Sequence, residues 1–232
     1  SGVLTFVSAP DYENQSTYSA TITASDSFNS AQQTINISII DINEAPVFTS
    51  NTTITADENQ TSIATVAASD PEGDSISFSI SGSEILVDSN SGVLTFVSAP
   101  DYETKSSYTA TVTASDGSES NSQNITVNIN NLNDNAPAFT SSSTFSVDEN
   151  ESDVGTATAS DADGSDITFS VNSDNISINS STGAIAFISA PDYETQTSYT
   201  ETITAADGSF TTNQSITINI NNLNDNSPII TS

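Results

Sequence analysis

The most constraining feature of this sequence is a segment that recurs at a fixed interval. The residues SGVLTFVSAPDYE open the chain, return unchanged at 91–103, and appear once more as TGAIAFISAPDYE at 182–194. The marker prolines of the three copies, Pro10, Pro100 and Pro191, are 90 and 91 residues apart. A period of this length predicts tandem domains.

A second series of prolines, Pro46, Pro137 and Pro228, has a spacing of 91 residues and places the domain boundaries. It predicts the C-terminal part of one repeat at 1–43, complete repeats at 44–134 and 135–225, and the start of another at 226–232. We therefore expect a segment of a longer array. Residues 1–43 hold the equivalents of only three strands, which without a partner sheet should not be stable alone.

Within each repeat, apolar and hydroxyl residues alternate with a period of two. The pattern is clearest where Tyr108, Ala110, Val112 and Ala114 alternate with Thr and Ser. This alternation predicts about seven short strands per repeat, no helix, and an all-β sandwich whose core is built from every second residue. Glu201 takes the place of Ala110 in the third copy, so we expect it near a strand end, within reach of water.

The net charge and the absence of two residue types limit the partners and the chemical groups that this chain can use. Thirty acidic residues stand against one cation, giving a net charge of -29, so nucleic acid and anionic membranes are poor partners. Cysteine and histidine are absent, which excludes disulfides, thiolate nucleophiles, imidazole bases and ordinary zinc sites. The remaining oxygen donors suit calcium or magnesium, and a flexible site with many oxygens favours calcium.

The sequence contains no apolar run long enough to span a bilayer, and no signal peptide. If the protein is secreted, as we expect for an extracellular or cell-surface protein, its targeting and anchoring segments lie outside this sequence.

Four acidic motifs recur once per repeat. They are DEN, the DYE that follows the marker proline, the linker (NLNDNAP at 131–137), and an aspartate that ends an Ala-rich strand. All four fall at strand ends and in connections. Side chains from distant parts of the sequence can therefore converge at one pole of a sandwich.

Together these motifs resemble the cadherin repeat, with its Glu-Asn, Asp-x-Glu, Asp-x-Asn-Asp-Asn linker, Asp-x-Asp and late Asp. The resemblance covers the whole chain. It implies seven-stranded Greek-key (Ig-like) sandwiches arranged end to end, with calcium bound at each junction between successive repeats.

The resemblance assigns calcium ligands by position. For the junction between the two complete repeats they are Glu58, Asp101, Glu103, Leu132, Asn133, Asp134, Asn135, Asp161, Asp163 and Asp207, with Leu132 and Asn135 acting through their carbonyls. For the preceding junction they are Asp11, Glu13, Asn43, Glu44, Asp70, Glu72 and Asp116. A third set, Glu149, Asp192, Glu194, Asn224 and Asp225, lacks its downstream half.

The preceding junction departs from the family pattern. Its linker, DINEAP, is one residue shorter, and Asp70 and Glu72 replace Asp-x-Asp. We expect it to hold fewer ions or to bind them more weakly. The alternative interpretation of every motif is an acidic residue in a surface turn.

The resulting functional hypothesis is a non-enzymatic filament or adhesin stalk, on a microbial surface, in which calcium stiffens each joint. Its partners would be neighbouring repeats, identical chains in homophilic or fibre assembly, or surface glycans. A lectin-like carbohydrate-binding module is the alternative. Glycoside hydrolysis is the one chemistry that this composition easily permits, but the chain has no Trp or Arg and every acidic cluster is repeated.

Overall fold

The computed structural model describes residues 2–227 and divides the chain into two compact units, Ser1–Asn130 (unit 1) and Asn131–Ser232 (unit 2). Every regular element in residues 2–227 is a β-strand. None of the described residues forms a helix suited to crossing a membrane. Of the segment predicted to start a further repeat, 226–232, the part from Pro228 onward lies outside the described residues.

Unit 1 begins with a hairpin and continues with a complete repeat. The hairpin pairs β1 (Thr17–Ser25) with β2 (Ser30–Ser38). The repeat that follows contains β3 (Val47–Phe48), β4 (Thr53–Asp57), β5 (Ser62–Thr65), β6 (Ala68–Ser69), β7 (Ser77–Ile80), β8 (Ile85–Val87), β9 (Val93–Phe96), β10 (Ser107–Ser115) and β11 (Ser120–Asn130).

The complete repeat of unit 1 is a two-layer sandwich. One layer is the sheet β4-β11-β10-β7, and the other contains β5-β9-β8 together with the β3-β6 pair. Strand β4 runs parallel to β11, and the other pairs are antiparallel. The nine segments amount to the predicted seven strands, since β3 and β4 are successive parts of the first strand and β5 and β6 of the second. The predicted all-β, Greek-key sandwich is confirmed.

Unit 2 repeats this topology. Its elements are β12 (Ala138–Phe139), β13 (Thr144–Asp148), β14 (Asp153–Thr156), β15 (Ala159–Ser160), β16 (Thr168–Val171), β17 (Ile176–Ile178), β18 (Ala184–Phe187), β19 (Ser198–Ala206) and β20 (Thr211–Asn221). Its layers are β13-β20-β19-β16 and β14-β18-β17, with β12 paired to β15.

Each sandwich encloses its own core, formed by the inward residues of the alternating pattern. In β10 the inward residues Val112 and Ala114 are fully buried, whereas Tyr108 and Ala110, nearer the start of the strand, are half-buried. In unit 2 the corresponding strand buries Ile203 and Ala205. The two-residue period therefore predicts the core face correctly.

The opening segment differs from the expectation of three strands. Residues 3–6 match β9 in sequence but form no strand, and Leu4 is 55% exposed where its counterpart Leu94 is 0% exposed. Among the described residues, this segment has no neighbour equivalent to β5 or β8 with which to pair. A strand needs partner strands to satisfy its backbone and bury its side chains.

Glu201 lies fourth in the nine-residue strand β19 rather than near its end, so that expectation was wrong. The side chain is half-buried, and its Oε1 accepts a hydrogen bond of 2.8 Å from Asn175 Nδ2. This amide donor, rather than a terminal position, compensates the carboxylate.

Candidate metal sites at the strand ends

The glutamate of each DEN motif is buried at a sandwich pole. Glu149 is only 1% exposed, and its carboxylate accepts hydrogen bonds from the backbone NH groups of Tyr193 (2.9 Å) and Leu223 (2.6 Å). Glu58, 2% exposed, likewise accepts from Tyr102 NH at 2.7 Å. A single buried carboxylate therefore fastens the DEN turn to the DYE turn in each unit.

The asparagine of DEN makes this inward turn possible. Asn59 and Asn150 have φ values of 64° and 68°, in the left-handed region that asparagine tolerates better than most residues. Their NH groups donate to the carbonyls of Pro100 (3.0 Å) and Pro191 (2.9 Å). The carbonyl of the marker proline thus binds the DEN turn, which carries the buried glutamate.

Further carboxylates gather around the buried glutamate. In unit 2, Glu149, Asp192 and Glu194 each place an oxygen within 4.8 Å of the others. In unit 1, oxygens of Glu58 and Glu103 lie within 4.8 Å of each other. The structure therefore brings together three members of the predicted third set.

The aspartates of DYE are held ionised by their own turns. The Thr195 hydroxyl (2.8 Å) and then the Glu194 NH lower the pKa of Asp192. In unit 1 the Thr104 hydroxyl, at 3.0 Å, does the same for Asp101. These aspartates therefore remain available as anionic oxygen donors.

Two other members of the third set take less central positions. Asp225 accepts a hydrogen bond from Asn150 Nδ2 at 2.9 Å, a contact that the sequence analysis did not predict. Asn224 is exposed.

In unit 2 the linker wraps around Asp163. The Asp163 carboxylate accepts from the NH groups of Asp134 (3.1 Å) and Asn135 (2.8 Å), and from the Asn135 side-chain amide (2.8 Å). Asn131 Nδ2 donates to the Asp163 carbonyl at 3.1 Å. The linker is thereby fixed to the Asp-x-Asp loop of its own repeat.

The Asn133 side-chain amide lies between two carboxylates. Its Nδ2 donates to the Oδ2 atoms of Asp163 and Asp207, both at 3.2 Å. The linker thus supplies a side-chain donor to each of these two aspartates.

The two remaining aspartates of this set are anchored by one oxygen each. Asp207 Oδ1 accepts from the NH groups of Phe210 (2.6 Å) and Ser209 (2.7 Å), which together with Asn133 lower its pKa. Asp161 Oδ1 accepts from the Asp163 and Ser165 NH groups, while its Oδ2 is buried without a hydrogen-bond partner.

In unit 1 the short linker meets glutamates instead. Glu13, Glu44 and Glu72 each place a carboxylate oxygen within 4.8 Å of the others. Glu44 NH donates to Glu72 Oε2 at 3.2 Å, and Asn43 Nδ2 donates to Asp116 Oδ2 at 2.9 Å. Members of the predicted set that are distant in sequence are thus adjacent in the structure.

The close approach of these carboxylates raises the pKa of two of the glutamates. Hydrogen bonding to Glu72, then burial and the charges of Glu13, Glu72 and Asp11 raise the pKa of Glu44 to about 7. A backbone hydrogen bond lowers the pKa of Glu13, but burial and the charges of Asp41, Glu72 and Asp11 outweigh it and raise the pKa overall. The sequence analysis gave no role to Asp41, and only its place in the acidic linker could have suggested one.

Asp11 lies at the margin of this site. Its Oδ1 accepts from Asn14 NH at 3.0 Å, and it acts on Glu13 and Glu44 through its charge.

The donor set fits a hard divalent cation. Asp70 Oδ2, Glu72 Oε1 and Asp161 Oδ2 are buried without a hydrogen-bond partner, although each lies in a predicted calcium-ligand set. A buried carboxylate oxygen without a partner is costly. The only lysine or arginine in the sequence, Lys105, is paired with Glu84, so charge compensation from a protein cation is lacking within the described residues. Calcium, which takes six to eight oxygen ligands, suits such a set.

Comparison with solved structures shows what the two units resemble. A structure of protocadherin gamma B2 extracellular cadherin domains 3-6 matches with a TM-score of 0.66 and 26% identity, over 92% of this chain and 61% of that one. The repeats are cadherin-like. A protocadherin gammaB7 EC3-6 cis-dimer structure matches these cadherin-like repeats at TM-score 0.67 and 26% identity, over 95% of this chain and 60% of that one.

Mouse cadherin-23 EC22-24 shares the fold at TM-score 0.67 and 22% identity, over 93% of this chain and 78% of that one. A family model described as a bacterial Ig domain matches residues 43–129, which is most of one cadherin-like repeat. A comparison with curated proteins found no similar sequence. This chain spans about 60% of the length of the two protocadherin structures.

Proposed function

We propose that the chain is a calcium-binding part of an extracellular array of cadherin-like repeats, with a structural or adhesive role and no catalytic one. Calcium bound at the repeat ends would stiffen the joints between successive sandwiches. The shared fold and the repeated acidic sets support a structural or adhesive module.

The observation that carries the proposal is the glutamate cluster of unit 1. Three carboxylates converge there, and Glu72 Oε1 and the nearby Asp70 Oδ2 are buried without partners. Carboxylates this close to one another repel when they are ionised. A bound calcium ion supplies the positive charge that turns this repulsion into attraction.

The residues that would hold calcium are those of the predicted sets. In unit 1 they are Asp11, Glu13, Asn43, Glu44, Asp70, Glu72 and Asp116. The resemblance to the cadherin repeat assigns Glu58, Asp101 and Glu103 to a further site with the linker residues 132–135, Asp161, Asp163 and Asp207. Affinities of about 10⁻⁴ to 10⁻³ M would suffice outside cells.

Small-angle scattering of the 232-residue chain tests the mechanical part of this proposal. We expect a longer particle in millimolar calcium than in chelator, with unchanged far-ultraviolet circular dichroism, because the ligands lie at the poles and not in the cores. Asp134→Ala should reduce the lengthening, while Asp166→Asn, an exposed acid outside the sets, should not. Identical scattering profiles with calcium and with chelator would refute the stiffening mechanism.

Calcium titration by calorimetry tests binding directly. Replacing Asp70 and Glu72 together by Asn and Gln should remove at least one binding event, because it removes two carboxylates that each have one buried oxygen without a partner. An unchanged isotherm would show that the glutamate cluster does not hold calcium.

We also propose association between identical chains. Every repeat presents nearly the same surface, which favours symmetric assembly. The similarity to a protocadherin cis-dimer structure is consistent with this idea. Sedimentation with and without calcium would test it.

A further inference from the structure

Unit 2 contains a side cavity that shares one lining residue, Asp192, with the predicted calcium-ligand sets. It measures about 310 Å³ and lies beside the end of β18 and the start of β19. The rings of Phe187 and Tyr199 form its apolar wall, with Asp174, Asn175 and Ser189 among its polar lining.

The same position in unit 1 contains a cation. Lys105 Nζ lies 2.6 and 2.7 Å from the two carboxylate oxygens of Glu84, and 4.2 Å from the centroid of the Tyr108 ring. The cavity lined there by Glu84 and Tyr108 measures about 200 Å³. One repeat thus shows how this pocket accommodates an ammonium group: between a carboxylate and the face of an aromatic ring.

The aromatic wall is the same in both repeats. The ring centroids of Phe187 and Tyr199 are 4.9 Å apart, and those of Phe96 and Tyr108 are 5.0 Å apart. The surface that receives the ammonium in unit 1 is therefore present in unit 2.

The lysine itself is missing from unit 2. At the repeat spacing of 91 residues, Gln196 replaces Lys105. Gln196 Nε2 donates to the carbonyl of Ser198 at 2.8 Å, so this side chain is bound to its own turn instead of reaching across the ring. Gln196 does not line the cavity.

Unit 2 has acidic residues near the position that the lysine side chain takes in unit 1. Asp174 replaces Ser83 in the lining. Glu201, which replaces Ala110, does not line the cavity but is hydrogen-bonded to the lining residue Asn175. Asn175, in the place of Glu84, donates to Glu201 Oε1 at 2.8 Å and so holds that carboxylate beside the cavity. Unit 2 has gained two negative charges where unit 1 has a neutral ion pair.

We propose that this cavity of unit 2 binds a primary alkylammonium group, namely the end of a lysine side chain from a partner polypeptide. Within this sequence no lysine is left to fill the cavity, because the single one is engaged with Glu84. The Tyr199 ring face receives the cation, Asp174 in the lining supplies opposite charge, and Glu201 adds a more distant negative charge behind Asn175. The net charge of -29 favours the approach of a basic partner.

NMR titration of the full chain in saturating calcium tests the site. The probe is Nα-acetyl-lysine amide, and the matched neutral probe is the same compound acetylated on Nε. We expect the first to shift the Tyr199 ring and Asn175 amide signals and the second to leave them unchanged. Equal shifts with both probes would overturn the proposal, because the charge would then be irrelevant.

A third probe, n-butylamine, separates the two sources of an ammonium group. Tighter binding of the lysine derivative supports a polypeptide partner, since its amide groups then add contacts. Binding of butylamine with equal affinity would identify the site as one for free amines and overturn the assignment to a partner polypeptide.

Two variants exploit the internal comparison. Gln196→Lys recreates the arrangement of unit 1, and we expect its own ammonium to displace the probe and weaken binding at least about tenfold. Glu201→Ala, which restores the residue of unit 1, should weaken binding about two- to fivefold, the range for one exposed charge pair. Glu119→Ala, an exposed glutamate outside the cavity, is the matched control and should change nothing.

The converse variant is Lys105→Gln in unit 1. Removing the internal ammonium should let the probe shift the Tyr108 ring signals, whereas we expect no such shift in the unaltered protein. Retention of full probe binding in Gln196→Lys would refute the proposal, because the cavity would then not be the site. These outcomes rest on Asp174, Gln196 and Tyr199, and none of the three belongs to a predicted calcium-ligand set.

Discussion

The linkers of the two units differ in how they compensate the negative charge of the carboxylates beside them. In unit 2, amide donors of the linker surround the Asp163 carboxylate, whereas in unit 1 the linker brings Glu44 against Glu72. The sequence difference is small: one residue fewer in DINEAP, and a glutamate in place of the second aspartate of Asp-x-Asp. Small changes at a strand end therefore decide whether a carboxylate is compensated by the protein or awaits a cation.

The largest expected effect comes from removing the compensated carboxylate. Asp163→Ala should destabilise calcium-free unit 2 by about 1–3 kcal/mol, because it leaves the donors of Asp134 and Asn135 without their acceptor. Urea unfolding in chelator measures this loss. Asp166→Ala, in the same loop but exposed, should stay within about 0.5 kcal/mol of the unaltered protein. Equal stability of the two variants would show that the linker is not held by Asp163.

The corresponding change in unit 1 should have the opposite sign. Glu72→Gln removes a like charge from Glu13 and Glu44, so we expect a modest rise in the calcium-free melting temperature of unit 1. The same variant should bind calcium more weakly. Calorimetric melting in chelator measures the change in stability, and calcium titration measures the change in affinity. Destabilisation in chelator would contradict the like-charge interpretation.

A third prediction concerns pH. The pKa of Glu44 is raised to about 7 from an ordinary value near 4.5, so the folded state holds a proton that the unfolded state releases. This contribution to stability is fully present below pH 4.5 and is lost as the pH rises through 7. Calcium-free unit 1 should therefore lose stability between pH 4.5 and about 7, and Glu44→Gln should flatten that interval. Saturating calcium should also flatten it, because the ion displaces the proton.

The smallest expected effect is one that the two linkers should share. Asn43 helps to lower the pKa of Asp116, and Asn133 that of Asp207, but backbone donors make the larger contribution in both cases. Asn43→Ala and Asn133→Ala should therefore raise the pKa of their aspartates only slightly. Carboxyl-carbon NMR titration measures the pKa of each aspartate. A large rise in either pKa would contradict the larger contribution of the backbone donors.

The architecture could be predicted because alternating apolar residues are typical of strands with one buried face, and a fixed repeat spacing is typical of tandem domains. Residues such as Val112 and Ile203 lie in the core as the alternation indicates. The resemblance to the cadherin repeat grouped Glu149, Asp192 and Glu194, and the structure places their carboxylates close together.

Other features depend on partners that a local pattern does not contain. Residues 3–6 have the sequence of β9 but no neighbouring strands among the described residues, and so form no strand. The position of Glu201 within its strand is tolerated because Asn175, distant in sequence, supplies a donor. The pairing of Glu44 with Glu72 depends on the path of a shortened linker, which residue types alone do not specify.

The identity of residues 1–13 and 91–103 has a consequence for how such a chain reaches its native state. Two chemically equivalent segments compete for the place of β9 between β5 and β8, and side-chain chemistry cannot distinguish them. Selection then falls to the short loops that connect β9 to its own repeat, since closing a longer loop costs more entropy. Exchange of equivalent strands between neighbouring repeats, or between chains, is therefore the characteristic misfolding hazard of this array.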